Sequence, residues 1–213
     1  AVFRTGFSIG PLRGMSQTVI LASASPIRRM LLETAQVSVI TAPARVDEDA
    51  IKQALLQDLQ SPRDIADALA EAKARKVAMC HPDDLVIGAD QTLEFQNRLI
   101  SKPETPDSAA DQIAALAGHI HHLHAAAVIY DGGKPVWRHI GRASLTMRLL
   151  SRPFIESYVA RNWESVRHCV GGYKIEEEGV RLFSRIEGSH FAILGLPILE
   201  ILSYLSLRGV IET

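Results

Sequence analysis

Five short runs of apolar and β-branched residues punctuate the chain: Val19 to Ala22, Val37 to Ala42, Leu85 to Ile87, Ala125 to Tyr130 and Ala143 to Met147. Between them the apolar positions recur at helical spacing, so strands and helices alternate and the pattern predicts an α/β protein. Helix starts are marked by a hydroxyl residue ahead of a proline, at Ser25-Pro26, Ser61-Pro62, Thr105-Pro106 and Ser151-Arg152-Pro153. The hydroxyl can accept from a first-turn amide, and proline has no N–H to waste there. Gly118 and Gly209 suit helix stops. Gln96-Asn97 and Asp131-Gly132-Gly133, each between strand-like residues, read as hairpin turns. Hairpins require antiparallel pairs, so the sheet is predicted to be mixed. No repeat, linker or low-complexity tract divides the chain, which reads as one domain over 17–213 with room for two lobes around a cleft. Residues 1–16 carry Arg4 and Arg13 among scattered Phe and Gly, with no continuous apolar stretch. They read as a loose extension outside the fold, not as a signal peptide or transit segment.

Composition narrows the function classes. The 213 residues are 47% apolar and 22% charged, an ordinary globular balance, and 23 Lys plus Arg against 24 Asp plus Glu leave a net charge of -1. A nucleic-acid duplex therefore meets no global basic field, and no nucleic-acid partner is expected. No run approaches the roughly 18 to 20 apolar residues of a membrane helix, so no membrane partner is expected either. Cys80 and Cys169 share no motif spacing and suit a reducing cytoplasm better than a disulfide.

Several local patterns carry candidate chemistry. Ser23-Ala24-Ser25-Pro26-Ile27-Arg28-Arg29 follows a strand and opens a helix. Two arginines in a first turn oppose the helix dipole by a few tenths to about 1 kcal/mol each. A bound phosphate would offset this by meeting the free N–H groups, the Ser25 hydroxyl and the guanidinium forks together; the alternative is that Arg28 and Arg29 splay into water. Leu85 to Asp90 is an apolar run ending in a small-residue step and a carboxylate, which sets Asp90 at a strand mouth. There it could hold Mg²⁺, take a proton from water, or cap the next turn. Lys102-Pro103, after the hairpin, could bring a cation back beside it. Asp47-Glu48-Asp49 offers a second acidic group or a capped helix start. In the helix from 62 to about 80, Ile65, Leu69, Ala72, Lys76 and Cys80 form a stripe, with Lys73 on or beside it. Facing inward, Lys73 needs an anion; otherwise it snorkels. His119, His121, His122 and His124 divide between two strand faces and lack a nearby Cys or carboxylate at ligand spacing, so a polar sheet edge is favoured over zinc. Gly171-Gly172-Tyr173-Lys174 followed by Glu176-Glu177-Glu178 reads as a pocket-lining loop or a solvated acidic turn.

In this order the pieces resemble the Maf family of nucleoside triphosphate pyrophosphatases, from Gln17 to about Tyr204. Leu21 to Arg29 matches the family's opening, Ala70-Glu71-Ala72-Lys73-Ala74 its helix, and Gly88-Ala89-Asp90 with Lys102-Pro103 its central signature. Leu116-Ala117-Gly118 with His121, Gly171 to Lys174, and Ile186 to Ser189 through Gly195-Leu196-Pro197 are similar to the later segments. The resemblance implies an elongated mixed sheet flanked by helices with a central cleft, a homodimer, and house-cleaning hydrolysis of a nucleoside triphosphate to monophosphate and pyrophosphate. It implies a divalent metal cation, Mg or Mn, held by Asp90 and Glu48. Asp90 is then the proton acceptor, Lys73 and Lys102 bind phosphate, and Ser25 and Arg28 cradle the triphosphate with support from Arg29. Three positions bear on base choice. Ile27 stands where the thymidine and uridine triphosphate branch has Arg, Gln91 where it has Thr, and Glu176 where it has Gln. Gln91 and Glu176 resemble the 7-methyl-GTP pyrophosphatase branch, which has Trp at the first position. Ala125 also replaces a hydroxyl residue usual in the family. Two other readings stand beside pyrophosphatase activity: a nucleotide-sensing regulatory module in cell-division control without turnover, and a phosphomonoesterase that would release orthophosphate.

Overall fold

The structure, a computed structural model, describes residues 17–212, so the expected extension over 1–16 lies outside the described residues. Strands β1 (Val19–Leu21), β2 (Val39–Thr41), β3 (Leu85–Phe95), β4 (Arg98–Ile100), β5 (Ile120–Asp131), β6 (Lys134–Met147) and β7 (Phe183–Gly188) form one sheet. Its order is β2-β1-β3-β5-β6-β7, with β4 pairing off this path to β3. β1 runs parallel to β2 and β3, and every other pair is antiparallel, so the sheet is mixed as the two hairpin turns required. The helices are α1 (Pro26–Thr34), α2 (Glu48–Gln57), α3 (Pro62–Ala78), α4 (Pro106–Leu116), α5 (Arg152–Val166), α6 (His190–Ile193) and α7 (Ile198–Leu207).

All four hydroxyl-proline signals start helices, but they act differently. Ser61, Thr105 and Ser151 accept from first-turn amides, whereas Ser25 makes no side-chain capping bond. α3 covers one face of the sheet, burying Ala66, Ala70 and Ala74 against Ile20, Val86 and Val128. Its buried stripe is turned from the expected line: Lys73 and Val77 lie inside, while Lys76 and Cys80 are exposed. The opposite face is packed in two clusters. One gathers Leu93, Leu123 and Leu145 with α4 and α5, and the other Leu21, Ile87 and Ile129 with residues of α1 and α7.

Two expectations about strands need correction. β7 carries no apolar run by which a strand is recognised, because only Phe183 of its six residues is buried and Ser184, Arg185 and Glu187 are polar. The histidines do not form a polar sheet edge: β5 is flanked by β3 and β6, and both His121 and His124 are buried. The Nε2 of each meets a polar partner, Tyr173 for His121 and Glu94 for His124, while each buried Nδ1 has none among the described residues.

β3 positions the site. β1 pairs with Leu85–Ile87 and β4 with Leu93–Phe95 along one edge, while β5 covers Val86 to Glu94 along the other. Residues 88–92 therefore have an open edge between β1 and β4, where strand direction also changes. Ligands of α/β sheets are handled at such breaks in the pairing order.

Candidate active site

Gly88 brings two segments together. A Cβ there would stand 2.1 Å from the Ala70 carbonyl oxygen and 2.5 Å from the Ala74 nitrogen, so only glycine lets α3 press this closely on β3. Lys73, between those alanines, is thereby laid against Asp90. Its Nζ donates to Asp90 Oδ1 at 2.5 Å and lies 2.8 Å from Glu48 Oε1. Glu48 is free to reach inward because Asp47, not Glu48, caps α2 by accepting from the Ala50 amide. Burial opposes the Glu48 charge, but the hydrogen bond and charge of Lys73, with Lys52 and Lys102 nearby, hold its carboxyl below the ordinary range.

The arrangement opens on a cleft lined by Glu48, Lys52, Asp90, Gln91, Thr92 and Lys102 among others. Asp90 Oδ2 has no partner among the described residues and is not sealed in. Lys102 is exposed and makes no ion pair among the described residues, leaving its ammonium available at the cleft. Lys52 was missed by the sequence reading. Its signal was present: it lies one helical turn after Glu48 in α2 and approaches that carboxylate to 3.7 Å.

Arg28 crosses from α1 to the site. Its Nε donates to the Gly195 carbonyl at 2.8 Å, and its Nη1 to the Ala89 carbonyl at 2.8 Å and to Ser23 Oγ at 3.2 Å. Burial pulls its pKa below the ordinary value, against the charges of Asp90 and Glu48. Arg28 thus ties α1 to the open edge of β3 and to the turn after α6, and its Nη2 has no partner among the described residues. Ser25 is half-buried at the start of α1 with its hydroxyl unused as a cap. Arg29 is not gathered with them. It pairs with Glu33 one turn along at 2.6 Å on an exposed face, because α1 points residue 29 about 100° away from residue 28.

The three base-choice positions fare differently. Gln91 lines the cleft, but its Nε2 donates to the carbonyls of Ala192 at 2.7 Å and Ile193 at 2.9 Å. Both amide protons are therefore engaged in holding α6, and only Oε1 remains. Ile27 is half-buried in the first turn of α1. In the acidic loop, Glu177 bonds Ser165 and Lys174, while Glu178 bonds Arg161 and Asn162. Glu176 is exposed and makes no such bond among the described residues. The loop is thus fastened to α5 by two glutamates and presents the third.

The Maf-like protein family matches residues 18–207, almost the whole described chain. The chain belongs to the Maf family. A nucleoside triphosphate pyrophosphatase of Ruegeria pomeroyi is 56% identical over 199 residues, covering 93% of this Maf chain and 100% of the relative. A protein of the same name from Caulobacter vibrioides is 46% identical, covering 91% and 96%. A 7-methyl-GTP pyrophosphatase of Rhizobium meliloti is 44% identical, covering 93% and 100%. The Maf core begins at the first described strand, and its central signature is the segment whose edge lies open in β3.

Proposed function

We propose that this Maf-family chain hydrolyses a nucleoside triphosphate to the monophosphate and pyrophosphate in the cleft at the open edge of β3. The observation that carries the reading is a buried carboxylate, Asp90, that keeps one oxygen free in a cleft lined by Lys52 and Lys102, with Lys73 bound to that carboxylate and Arg28 to the neighbouring Ala89 carbonyl. Water attacks the α-phosphorus, its proton passes to the Asp90 carboxylate, and the bond from the α-phosphorus to the bridging oxygen breaks to release pyrophosphate. Lys102, the Arg28 Nη2 and the first turn of α1 with Ser25 take up charge on the phosphate oxygens.

The donor set fits a small hard cation, since Asp90 Oδ2 and Glu48 Oε2 supply carboxylate oxygens that are not hydrogen-bonded, with phosphate oxygens and water to complete the shell. Bound there, Mg²⁺ or Mn²⁺ would offset charge on the phosphates and favour departure of pyrophosphate. Glu48 and Asp90 would hold it, and Lys73 keeps both carboxylates in place.

Incubation with a panel of canonical and methylated triphosphates and Mg²⁺ or Mn²⁺, with separate assays for pyrophosphate and orthophosphate, tests the reaction. Pyrophosphate release that falls about 100-fold or more in Asp90→Asn is expected. Orthophosphate alone would mean a phosphomonoesterase. Tight nucleotide binding without turnover would mean a sensor, a reading the relatives' names do not favour.

For the base, the reading follows the 7-methyl-GTP pyrophosphatases among the relatives. The unpartnered Glu176 carboxylate can accept from a guanine edge or attract a cationic methylated base. Glu176→Gln should then lower kcat/KM for 7-methyl-GTP relative to UTP and dTTP. An unchanged ranking removes Glu176 from base selection.

A further inference from the structure

Lys73 is held unlike the other cations of the cleft. Lys102 is exposed with no carboxylate partner among the described residues, and Lys52 stands 3.7 Å from Glu48. The Lys73 side chain is 11% exposed, and its ammonium contacts Asp90 Oδ1 at 2.5 Å and Glu48 Oε1 at 2.8 Å. Two of its three protons are accounted for, and α3 is fixed against Gly88, so the lysine stem starts from a position set by backbone contact. To grip a phosphate with more than its one remaining proton, it would have to abandon a carboxylate that gains charge compensation from it. Leaving the buried Asp90 or the half-buried Glu48 unpaired is unfavourable, because the missing hydration is not replaced.

We propose that Lys73 is the internal counter-ion of the Glu48–Asp90 pair, not a triphosphate ligand, and that it lowers the affinity of the nucleotide-free cleft for a divalent cation. The inference rests on the pyrophosphatase reading and deepens it. With Lys73 in place, two carboxylate charges are reduced to a net single charge, too little to retain free Mg²⁺ or Mn²⁺ firmly. The phosphates supply the missing negative charge, so the cleft takes the metal as its chelate with the triphosphate. Lys73 is then a positioning residue: it touches the carboxylates that do the chemistry and leaves phosphate to Lys102 and Arg28.

Mn²⁺ binding to the full chain without nucleotide, followed by electron paramagnetic resonance, reads this directly. Lys73→Met should bind Mn²⁺ about tenfold or more tightly than wild type, since a positive charge within a few ångströms of the ion is removed. Lys73→Arg should stay near wild type, and adding Asp90→Asn to Lys73→Met should reverse the gain. The metal-free Met variant should melt lower than wild type and recover more on adding Mn²⁺. Should the Met variant fail to fold, Lys73→Gln keeps a donor without the charge and carries the same expectations. Mn²⁺ affinity unchanged or weakened in the neutral variants overturns the proposal. So does a tenfold loss of non-hydrolysable triphosphate binding in EDTA, which would return Lys73 to the phosphates. If wild type still releases pyrophosphate in either case, the activity stands and only the role of Lys73 falls. Wild type releasing none from any triphosphate brings down both.

Discussion

Two polar groups are buried on opposite faces of the same sheet, and they are used in opposite ways. On the α3 face, Lys73 joins Asp90 and Glu48, and an Asp90 oxygen remains free in the cleft. On the other face, His121 is wholly buried with its Nε2 2.7 Å from the Tyr173 hydroxyl, and both rings pack against Phe183. Burial pushes His121 down to about 4, with a small push from His122, and raises the Tyr173 hydroxyl well above its ordinary value. That pair is therefore neutral at physiological pH and fastens the loop that begins at Val170. The first cluster keeps charge out of bulk water and leaves part of it unmatched, the condition for chemistry; the second is uncharged and structural, held through His121 Nε2 while its buried Nδ1 has no partner among the described residues. Burial of a polar side chain alone does not mark a site. Net charge with an opening does.

The strongest way to break the contrast is Gly88→Ala. The added methyl group cannot share space with the Ala70 carbonyl, so α3 must lift and carry Lys73 from Asp90. A stability loss on the order of 3 kcal/mol in urea titration is expected, with pyrophosphate release falling to the level of Asp90→Asn. Tyr173→Phe attacks the other cluster by removing the partner of a buried imidazole nitrogen, at a cost of about 1 to 3 kcal/mol. Its kcat should fall far less than that of Gly88→Ala, since no cleft charge moves.

The same imidazole predicts a pH dependence. The unfolded chain takes up a proton at this histidine below about pH 6.5, whereas the folded protein resists until about 4. The stability contributed by neutral His121 is complete above about 6.5 and is lost as the pH falls toward 4. Melting temperature measured across that window should drop for wild type and drop less for His121→Gln. The smallest effect sharpens the boundary of the site. Arg29→Ala removes an exposed pair with Glu33 and should change stability by no more than about 0.5 kcal/mol, with kcat/KM unaltered. A tenfold fall in kcat/KM would restore Arg29 to the phosphates.

The sequence made some parts of this plain and hid others for identifiable reasons. The helix starts at Pro26, Pro62, Pro106 and Arg152 were legible because capping is a property of adjacent residues. The hairpins at Gln96-Asn97 and Gly132-Gly133 were legible because their left-handed backbone favours few residue types. β3 was read in two pieces, an apolar run to Ile87 and the hairpin arm Leu93 to Phe95, because Gly88 and Asp90 between them look like a strand end until Lys73 is supplied to Asp90 from another segment. The histidines misled for the same reason: Tyr173 and Glu94 meet the Nε2 atoms of His121 and His124 from 52 and 30 residues away. The roles within the acidic loop were also unreadable, since Glu176, Glu177 and Glu178 differ only in whether α5 offers them Arg161, Asn162 or Ser165.

By itself, the sequence determined the alternation of strands and helices, the mixed pairing, and the chemical types at each end of β3, for these depend on spacing and on the conformational limits of proline, glycine and hydroxyl residues. Only the tertiary structure decided that Lys73 belongs to the two carboxylates, that Gln91 holds α6, and that Arg29 stands apart from Arg28. Such choices turn on a few ångströms between segments remote in the chain, and electrostatic and hydrogen-bond energies fall away too steeply over that distance for neighbours in sequence to encode them.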